Sequence, residues 1–223
     1  MSIKNILKNI RQNYKKDGAL SWFVCFCAFL ANATVPGVDY TFGEQFGSIM
    51  RDFNSSESSS ALVGSVFSST SYFASSVSSL LGERFGFAPV VAIGVLLSLT
   101  FFILATTSSS VSILTLHYGF FAGFGLGLIY TPSQIICSYH FIKNRSLATG
   151  IAISGSGIGI IAVSQSMNFI SARYGWKGCV LICAFMSLLS SLLAIVAYIL
   201  PEEYDEEHFI ENDDSNKHVE IKK

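Results

Sequence analysis

The sequence contains six apolar stretches of about 20 residues, separated by short segments that hold most of its charges. These stretches cover residues 20–40, 61–81, 88–105, 111–136, 146–170 and 178–200. A helix needs about 20 mainly apolar residues to cross the hydrocarbon core of a bilayer. Inside lipid, only helices and closed barrels satisfy their own backbone polar groups. We therefore predict an all-α, polytopic membrane protein with six transmembrane helices.

The composition also indicates that the lipid bilayer surrounds this chain. Of the 223 residues, 51% are hydrophobic and 13% are charged, and the mean hydropathy is +0.51. An average soluble domain has about 25% charged residues. The net charge of −1 gives no reason to expect a nucleic-acid partner. The second stretch is the weakest span because it is rich in serine, although small residues also favour close helix packing in membranes.

The charged residues divide the chain into three regions. We predict a basic cytoplasmic tail over residues 1–19, a transmembrane bundle over residues 20–200, and an acidic, disordered cytoplasmic tail over residues 201–223. Cytoplasmic loops carry an excess of lysine and arginine. With the N-terminus inside, the inner segments hold Lys4, Lys8, Arg11, Lys15, Lys16, Arg84, Lys143 and Arg145, and the outer segments hold Arg51, Arg173 and Lys177. Both termini are therefore predicted to be cytoplasmic.

A glycosylation pattern agrees with this orientation. Asn54 begins the sequence "NSS" and falls in the predicted outer loop between the first two spans. Modification there would require passage through the secretory route, so the plasma membrane is the expected location.

Residue types that carry out enzyme chemistry show no catalytic pattern. The four histidines have no metal-binding spacing, and no nucleophile or nucleotide fingerprint is visible. The five cysteines lie within spans or at their edges and are interpreted as small apolar residues. We therefore predict no enzyme activity, no catalytic residues, no cofactor and no metal.

Polar residues inside the spans are the candidates for a solute path, because lipid offers them no partner. Asn32, Asp39 and Tyr40 lie on the first span and Tyr130 lies on the fourth. The functional interpretation is a transport cavity, and the alternative for each residue is an ordinary hydrogen bond between helices. Asp39 alone among them is a carboxylate, near the predicted outer end of its span.

Two glycine series have the spacing of helix-packing faces. Gly119, Gly123 and Gly127 recur every four residues in the fourth span, and Gly155 and Gly159 do so in the fifth. Such stripes let a neighbouring backbone approach closely. A phosphate-binding loop would need a strand before the glycines, and the apolar surroundings offer none. Helix packing is the predicted role.

Several segments together resemble one transporter family. The loop and helix that begin with "HFIKNRSLATG" resemble a family signature whose positions are occupied by His140, Phe141, Lys143, Asn144, Arg145, Leu147, Ala148, Gly150, Gly155 and Gly159. Two of these residues depart from the signature, because His140 replaces a tyrosine and Asn144 replaces a basic residue. Asp17, Gly18 and Trp22 are similar to the family's first-helix signature, and the turn around Glu83 and Arg84 is similar to its inner loop. Over residues 17–200 the chain resembles the N-terminal six-helix half of a monocarboxylate-transporter-like member of the major facilitator superfamily.

The resemblance implies secondary transport of a small, monocarboxylate-like organic solute, with or without a coupled proton. It implies an inner gate and loop formed by Glu83, Arg84, Lys143 and Arg145, with Asn32, Asp39, Tyr40 and Tyr130 at the cavity. Proton-coupled members place a lysine where this chain has Tyr40.

Family members have twelve helices and this sequence supplies six, so we expect an incomplete carrier that pairs with a second six-helix half or with its own copy. The alternative is a truncated, non-transporting membrane protein that binds a carrier or another partner through its small-residue helix faces.

Overall fold

A computed structural model describes residues 17–192, and every regular element in that range is helical. The helices are α1 (Ala19–Asp39), α2 (Phe42–Asp52), α3 (Glu57–Phe85), α4 (Phe87–Ala105), α5 (Val111–His140) and α6 (Arg145–Leu189). Residues Thr115–Ala122 of α5 are wound as a π-helix. The two predicted tails lie outside the described residues, apart from residues 17–19.

By length and composition, four of the described helices could cross a membrane, where the sequence predicts six spans. They are α1, α4, α5 and α6. The helix α3 has 29 residues, which is long enough, but its serines lower its hydropathy. The helix α6 has 45 residues and contains the fifth predicted stretch and most of the described part of the sixth. The count therefore differs for two separate physical reasons.

The helix α6 is two helices joined by a reversal at Gly175. This residue has φ 65° and ψ −164°, a backbone conformation that is open to glycine and strained for other residues. The thiol of Cys179 donates to the carbonyl of Met167 at 3.6 Å, although twelve residues of straight helix would separate them by about 18 Å. Residues 145–174 and 176–189 therefore form a hairpin.

The helix α1 runs parallel to the first arm of this hairpin. The thiol of Cys25 donates to the carbonyl of Ala148 at 3.3 Å, and further along both helices Gly37 packs against Val163. The second arm contacts the same helix, because the hydroxyl of Thr34 donates to the carbonyl of Met186 at 3.3 Å. Both arms of α6 therefore pack on α1, which lies at the centre of this part of the bundle.

The helices α3 and α5 form a second parallel pair, held together by hydroxyl groups. Ser71 donates to the carbonyl of Gly123 at 3.0 Å, and Ser78 donates to the carbonyl of Leu128 at 2.8 Å. In the opposite direction, Thr131 donates to the carbonyl of Ser75 at 2.8 Å. Several serines that weaken the hydropathy of α3 therefore bond to α5.

The helix α4 runs antiparallel to α5. The ring of Phe87 contacts that of Tyr139 with centroids 6.0 Å apart. At the other end of α4, Phe102 contacts Tyr118 with centroids 5.4 Å apart. Phe67 of α3 completes an aromatic cluster at 5.1 Å from Tyr118. This cluster of Phe67, Phe102 and Tyr118 fills the space between α3, α4 and α5, and all three of its rings are fully buried.

The short helix α2 lies in the segment that the sequence analysis treated as an outer loop. Gln45 and Ile49 lie four residues apart on its buried face. At its end, the indole N–H of Trp176 donates to the carboxylate of Asp52 at 2.8 Å. The helix α2 therefore covers one end of the bundle and contacts the α6 hairpin just after its turn.

Candidate functional site

A cavity of about 560 Å³ opens where α1 ends, between α2 and α3. This volume lies within the range of about 300–1,000 Å³ that is common for ligand pockets. The described residues that line it are Asp39, Tyr40, Phe42, Gly43, Phe46, Ala61, Gly64, Ser65, Ser68 and Tyr72. We call this feature the Asp39 cavity. It combines one carboxylate, four aromatic rings and several hydroxyl groups.

Two residues of α3 hold the carboxylate of Asp39. The hydroxyl of Ser68 donates a hydrogen bond to it, and the phenol of Tyr72 donates at 3.4 Å. Ser68 and Tyr72 are four residues apart, so both point from the same face of α3. Asp39 is the last residue of α1, so its carboxylate lies where α1 ends beside α3.

Glycine makes room for one wall of the cavity. A Cβ atom added at Gly64 would overlap the ring of Phe42. The ring of Phe42 also contacts Tyr118, with centroids 5.9 Å apart. The position of Phe42 therefore depends on α3 and α5 together, so the wall is formed by tertiary packing.

Of the four predicted cavity residues, two line the cavity and two do not. Asp39 and Tyr40 line the cavity. Tyr130 is half-buried on α5 and is not among the lining residues, although it lies near enough to Tyr72 for an electrostatic interaction. Asn32 is buried and donates to the carbonyls of Ala28 at 3.0 Å and Ser133 at 2.9 Å. The contacts of Asn32 are those of a link between α1 and α5.

Sequence reasoning missed the other eight described residues that line the cavity, among them two phenylalanines of α2 and both partners of the Asp39 carboxylate. Phe42 and Phe46 belong to α2, which the sequence did not indicate as a helix. Ser68 and Tyr72 lie in a serine-rich stretch, where no single residue stands out. The spacing of four residues between them was the available signal, but it has meaning only when the facing residue of α1 is known.

The predicted gate and loop residues lie at the opposite end of the bundle. Glu83 and Arg84 are exposed near the end of α3, and Lys143 and Arg145 are exposed where α5 leads into α6. We call this region the Asp17 end, because Asp17 contacts Lys143 there. Asn54, the predicted glycosylation acceptor, is exposed in the loop between α2 and α3, near the cavity end of the molecule.

Asp17 binds the loop between α5 and α6. Its carboxylate accepts backbone N–H groups from Ile142 at 3.2 Å, Lys143 at 3.1 Å and Asn144 at 3.2 Å. The N–H of Lys143 is the main cause of a lowered pKa for the Asp17 carboxyl, and the N–H groups of Asn144 and Ile142 act in the same direction. We call this arrangement the Asp17 clasp.

The glycine series lie at the two parallel helix pairs. A Cβ added at Gly119 would lie 3.1 Å from the carbonyl oxygen of Val63, and one added at Gly123 would lie 2.9 Å from that of Phe67. At Gly127 an added Cβ would overlap the carbonyl of Ser71. Gly155 and Gly159 lie equally close to the carbonyls of Phe29 and Ala33 on α1. The backbones of each pair therefore approach closely, and at Gly127, Gly155 and Gly159 they leave no room for a side chain.

Metal binding finds no support in the described part of the chain. Within residues 17–192, no group of three or more histidine, cysteine, aspartate or glutamate side chains is arranged to hold a metal ion. All five cysteines are free and buried.

A family comparison identifies the chain. The family model of the Major Facilitator Superfamily matches residues 18–221, which is most of the sequence. The chain belongs to the major facilitator superfamily. It is an integral-membrane protein of a transporter family.

Its curated relatives narrow the family further. The chain is 31% identical to monocarboxylate transporter 13 of Bos taurus over 185 residues, which is 83% of this chain and 43% of the relative. It is 34% identical to monocarboxylate transporter 2 of Rattus norvegicus over 178 residues, 78% of this chain and 36% of the relative. For monocarboxylate transporter 11 of Homo sapiens the identity is 29% over 172 residues, 77% of this chain and 36% of the relative.

The chain therefore spans less than half the length of these relatives. The predicted resemblance is confirmed, and this is a monocarboxylate-transporter-like member of the superfamily.

In this facilitator-superfamily chain, two of the family signatures lie against each other. Asp17 and Trp22 come from the first signature, and Phe141 and Lys143 come from the second. The ring of Trp22 meets that of Phe141 edge-on at 5.1 Å, beside the Asp17 clasp. The N–H of Asp17 also donates to the carbonyl of His140 at 3.3 Å. The signatures thus form one contact between the start of α1 and the loop before α6.

Proposed function

We propose that this chain forms a six-helix half of a secondary transporter for a small organic solute. The observation that carries the proposal is the Asp39 cavity, a ligand-sized space with a carboxylate and hydroxyl groups in a bundle of transporter type. Monocarboxylates, which the names of its relatives mention, are the reference solutes to test first. Carriers of this superfamily work by rocking one half against the other around a central site, so the partner is a second half or a second copy.

Six crossings are part of this proposal, and two features support them. The hairpin at Gly175 directs residues 176–189 back along α1 as a separate crossing. The helix α3 has 29 residues, so it is about 43 Å long and exceeds the roughly 30 Å of a hydrocarbon core. Its serines Ser71, Ser75 and Ser78 donate to carbonyls of α5, which removes much of their cost in lipid.

The proposed orientation has both termini in the cytoplasm. An even number of crossings leaves both tails on one side, and the basic residues Arg84, Lys143 and Arg145 at the Asp17 end support the cytoplasm as that side. These residues and Glu83 are assigned to the inner gate and loop. Asn54 then faces the outside, and the plasma membrane is the proposed location.

The alternative, a non-transporting membrane protein, is not favoured by the comparisons, because the relatives are transporters by name. The glycine faces that it invoked for partner binding are already occupied by α1 and α3 within the described bundle.

Uptake into liposomes tests the proposal. The 223-residue chain is reconstituted, and labelled lactate and other small organic solutes are followed with and without an inward proton gradient, with empty liposomes as the control. Saturable uptake supports transport, and its dependence on the gradient reports proton coupling. Failure for every solute in both conditions would overturn transport by this chain.

A further inference from the structure

We propose that the Asp39 cavity binds an organic solute through a cationic nitrogen, held between aromatic rings and the Asp39 carboxylate. The proposal deepens the transport function and rests on it only for the idea that the bound solute is moved. It concerns a solute class with an amine or quaternary ammonium group.

The charge of the cavity is the first argument. Asp39 is the sole carboxylate among the described lining residues, and none of those residues is basic. The hydroxyls of Ser68 and Tyr72 donate to the carboxylate and fix its position, but they do not neutralise it. An opposite charge close by stabilises a carboxylate, and no described lining residue supplies one. A positively charged solute would supply that charge.

The aromatic lining is the second argument. Four rings contribute to the cavity, from three different segments of the fold, and they belong to Tyr40, Phe42, Phe46 and Tyr72. The faces of aromatic rings attract cations, and aromatic cages are a recurrent way to recognise quaternary ammonium groups. Tyr40 is 67% exposed and Tyr72 is 50% exposed, so the protein itself does not cover these rings.

The size of the solute and the sign of its charge follow from the same features. A cavity of about 560 Å³ has room for a small ammonium head group and the rest of its molecule. A solute whose only charge is a carboxylate would meet the like charge of Asp39, which disfavours binding. A carboxylate that also bears an amine could bind through the amine.

Direct binding to the purified 223-residue chain tests the site. Tetramethylammonium and lactate are titrated separately by calorimetry against the wild-type chain and against Asp39→Asn. We expect saturable tetramethylammonium binding that is about tenfold weaker in Asp39→Asn, and weaker binding of lactate than of tetramethylammonium to the wild-type chain. The matched control is Glu57→Gln, which removes an exposed carboxylate outside the cavity and should bind as the wild type does.

A second pair of variants separates the contribution of the Tyr40 ring to the affinity from that of its hydroxyl. Tyr40→Phe keeps the aromatic face and should stay within about twofold of wild-type affinity, whereas Tyr40→Leu should weaken binding by about threefold or more. Because Tyr40 is exposed, neither variant should disturb the fold, and a thermal melt verifies this.

The proposal is overturned if the wild-type chain shows no saturable tetramethylammonium binding, if Asp39→Asn binds equally well, or if lactate binds more tightly than tetramethylammonium. These outcomes are independent of the liposome experiment. Absent uptake together with Asp39-dependent binding would remove the transport proposal and leave the cation site. Uptake of lactate without tetramethylammonium binding would keep the transport proposal and remove the cation site.

Discussion

Asp17 shows how much structure one carboxylate can organise in a membrane protein. It lies just before α1, yet it accepts hydrogen bonds from three consecutive N–H groups about 125 residues further along the chain. These N–H groups lie directly before α6, and the last of them belongs to Asn144, the N-cap residue of that helix. The Asp17 clasp therefore ties the loop before α6 to the start of α1 and holds the backbone of Lys143 there.

The clasp predicts a pH-dependent effect of Asp17→Asn. The folded chain lowers the pKa of this carboxyl below its ordinary 3.8, so its stabilising effect is fully present above that value and is lost as the pH falls through the lowered pKa. At neutral pH, Asp17→Asn should melt at a lower temperature than the wild type. The difference should narrow as the pH is lowered to about 2.

Thermal melts in detergent at several pH values measure this difference. Glu83→Gln, which removes an exposed carboxylate at the same end of the bundle, is the control and should show no such narrowing. A difference between wild type and Asp17→Asn that stays constant with pH would argue against the clasp.

Asn32 gives a second prediction for a single residue. The side-chain amide of Asn32 is 1% exposed and donates hydrogen bonds to the carbonyls of Ala28 and Ser133. Asn32→Ala therefore removes the donor to the carbonyl of Ser133. The free energy of unfolding should fall by about 1 kcal/mol, while the tetramethylammonium affinity stays within about twofold. Chemical unfolding and calorimetry on the same preparation measure the two quantities. A large loss of affinity with unchanged stability would instead assign Asn32 to the solute path.

Between helices, contact depends on the absence of side chains at a few positions. Gly127 packs against Ser71 of α3, whereas Gly150 at the start of α6 has no atom within 4 Å of an added Cβ. The same substitution at the two sites therefore isolates the effect of packing from that of helix propensity.

We expect Gly127→Ala to lower the free energy of unfolding by about 1–3 kcal/mol, because the new methyl group pushes α3 and α5 apart. Gly150→Ala should be neutral or stabilising by up to about 1 kcal/mol, since alanine favours a helix. Unfolding curves of both variants in the same detergent provide the measurement. Equal effects at the two sites would contradict the role of Gly127 in packing.

The sequence predicts some of these elements well and others poorly. The glycine series are visible because a spacing of four residues is a local pattern, and each predicted glycine lies at a helix contact. The helix α2 was missed because it is short, carries charged residues such as Glu44 and Arg51, and lies between two spans. The cavity was only half visible, since Ser68 and Tyr72 gain meaning through Asp39, which is 29 residues or more away in the chain.

For the whole molecule, the predicted orientation can be tested at Asn54. This residue is exposed, with φ 47° in the loop between α2 and α3. If that loop faces the lumen during synthesis, Asn54 receives a glycan in microsomes. Treatment with an endoglycosidase should then increase the gel mobility of the wild-type chain and leave Asn54→Gln unchanged. An unglycosylated wild-type chain that is inserted in the membrane would contradict the outer position of this loop.

The parallel register of α1 and the first arm of α6 limits how this half can move. The backbone of α1 at Phe29 and Ala33 fits against Gly155 and Gly159, and each contact excludes any side chain. To slide along each other, the two helices would have to carry the α1 backbone over side chains of α6 before the next fit, about 6 Å or four residues further along. Small displacements are therefore resisted by steric overlap. We therefore expect the described helices to move together as one rigid body. A displacement at the Asp17 end would then rotate the Asp39 cavity, while the helices slide little against each other.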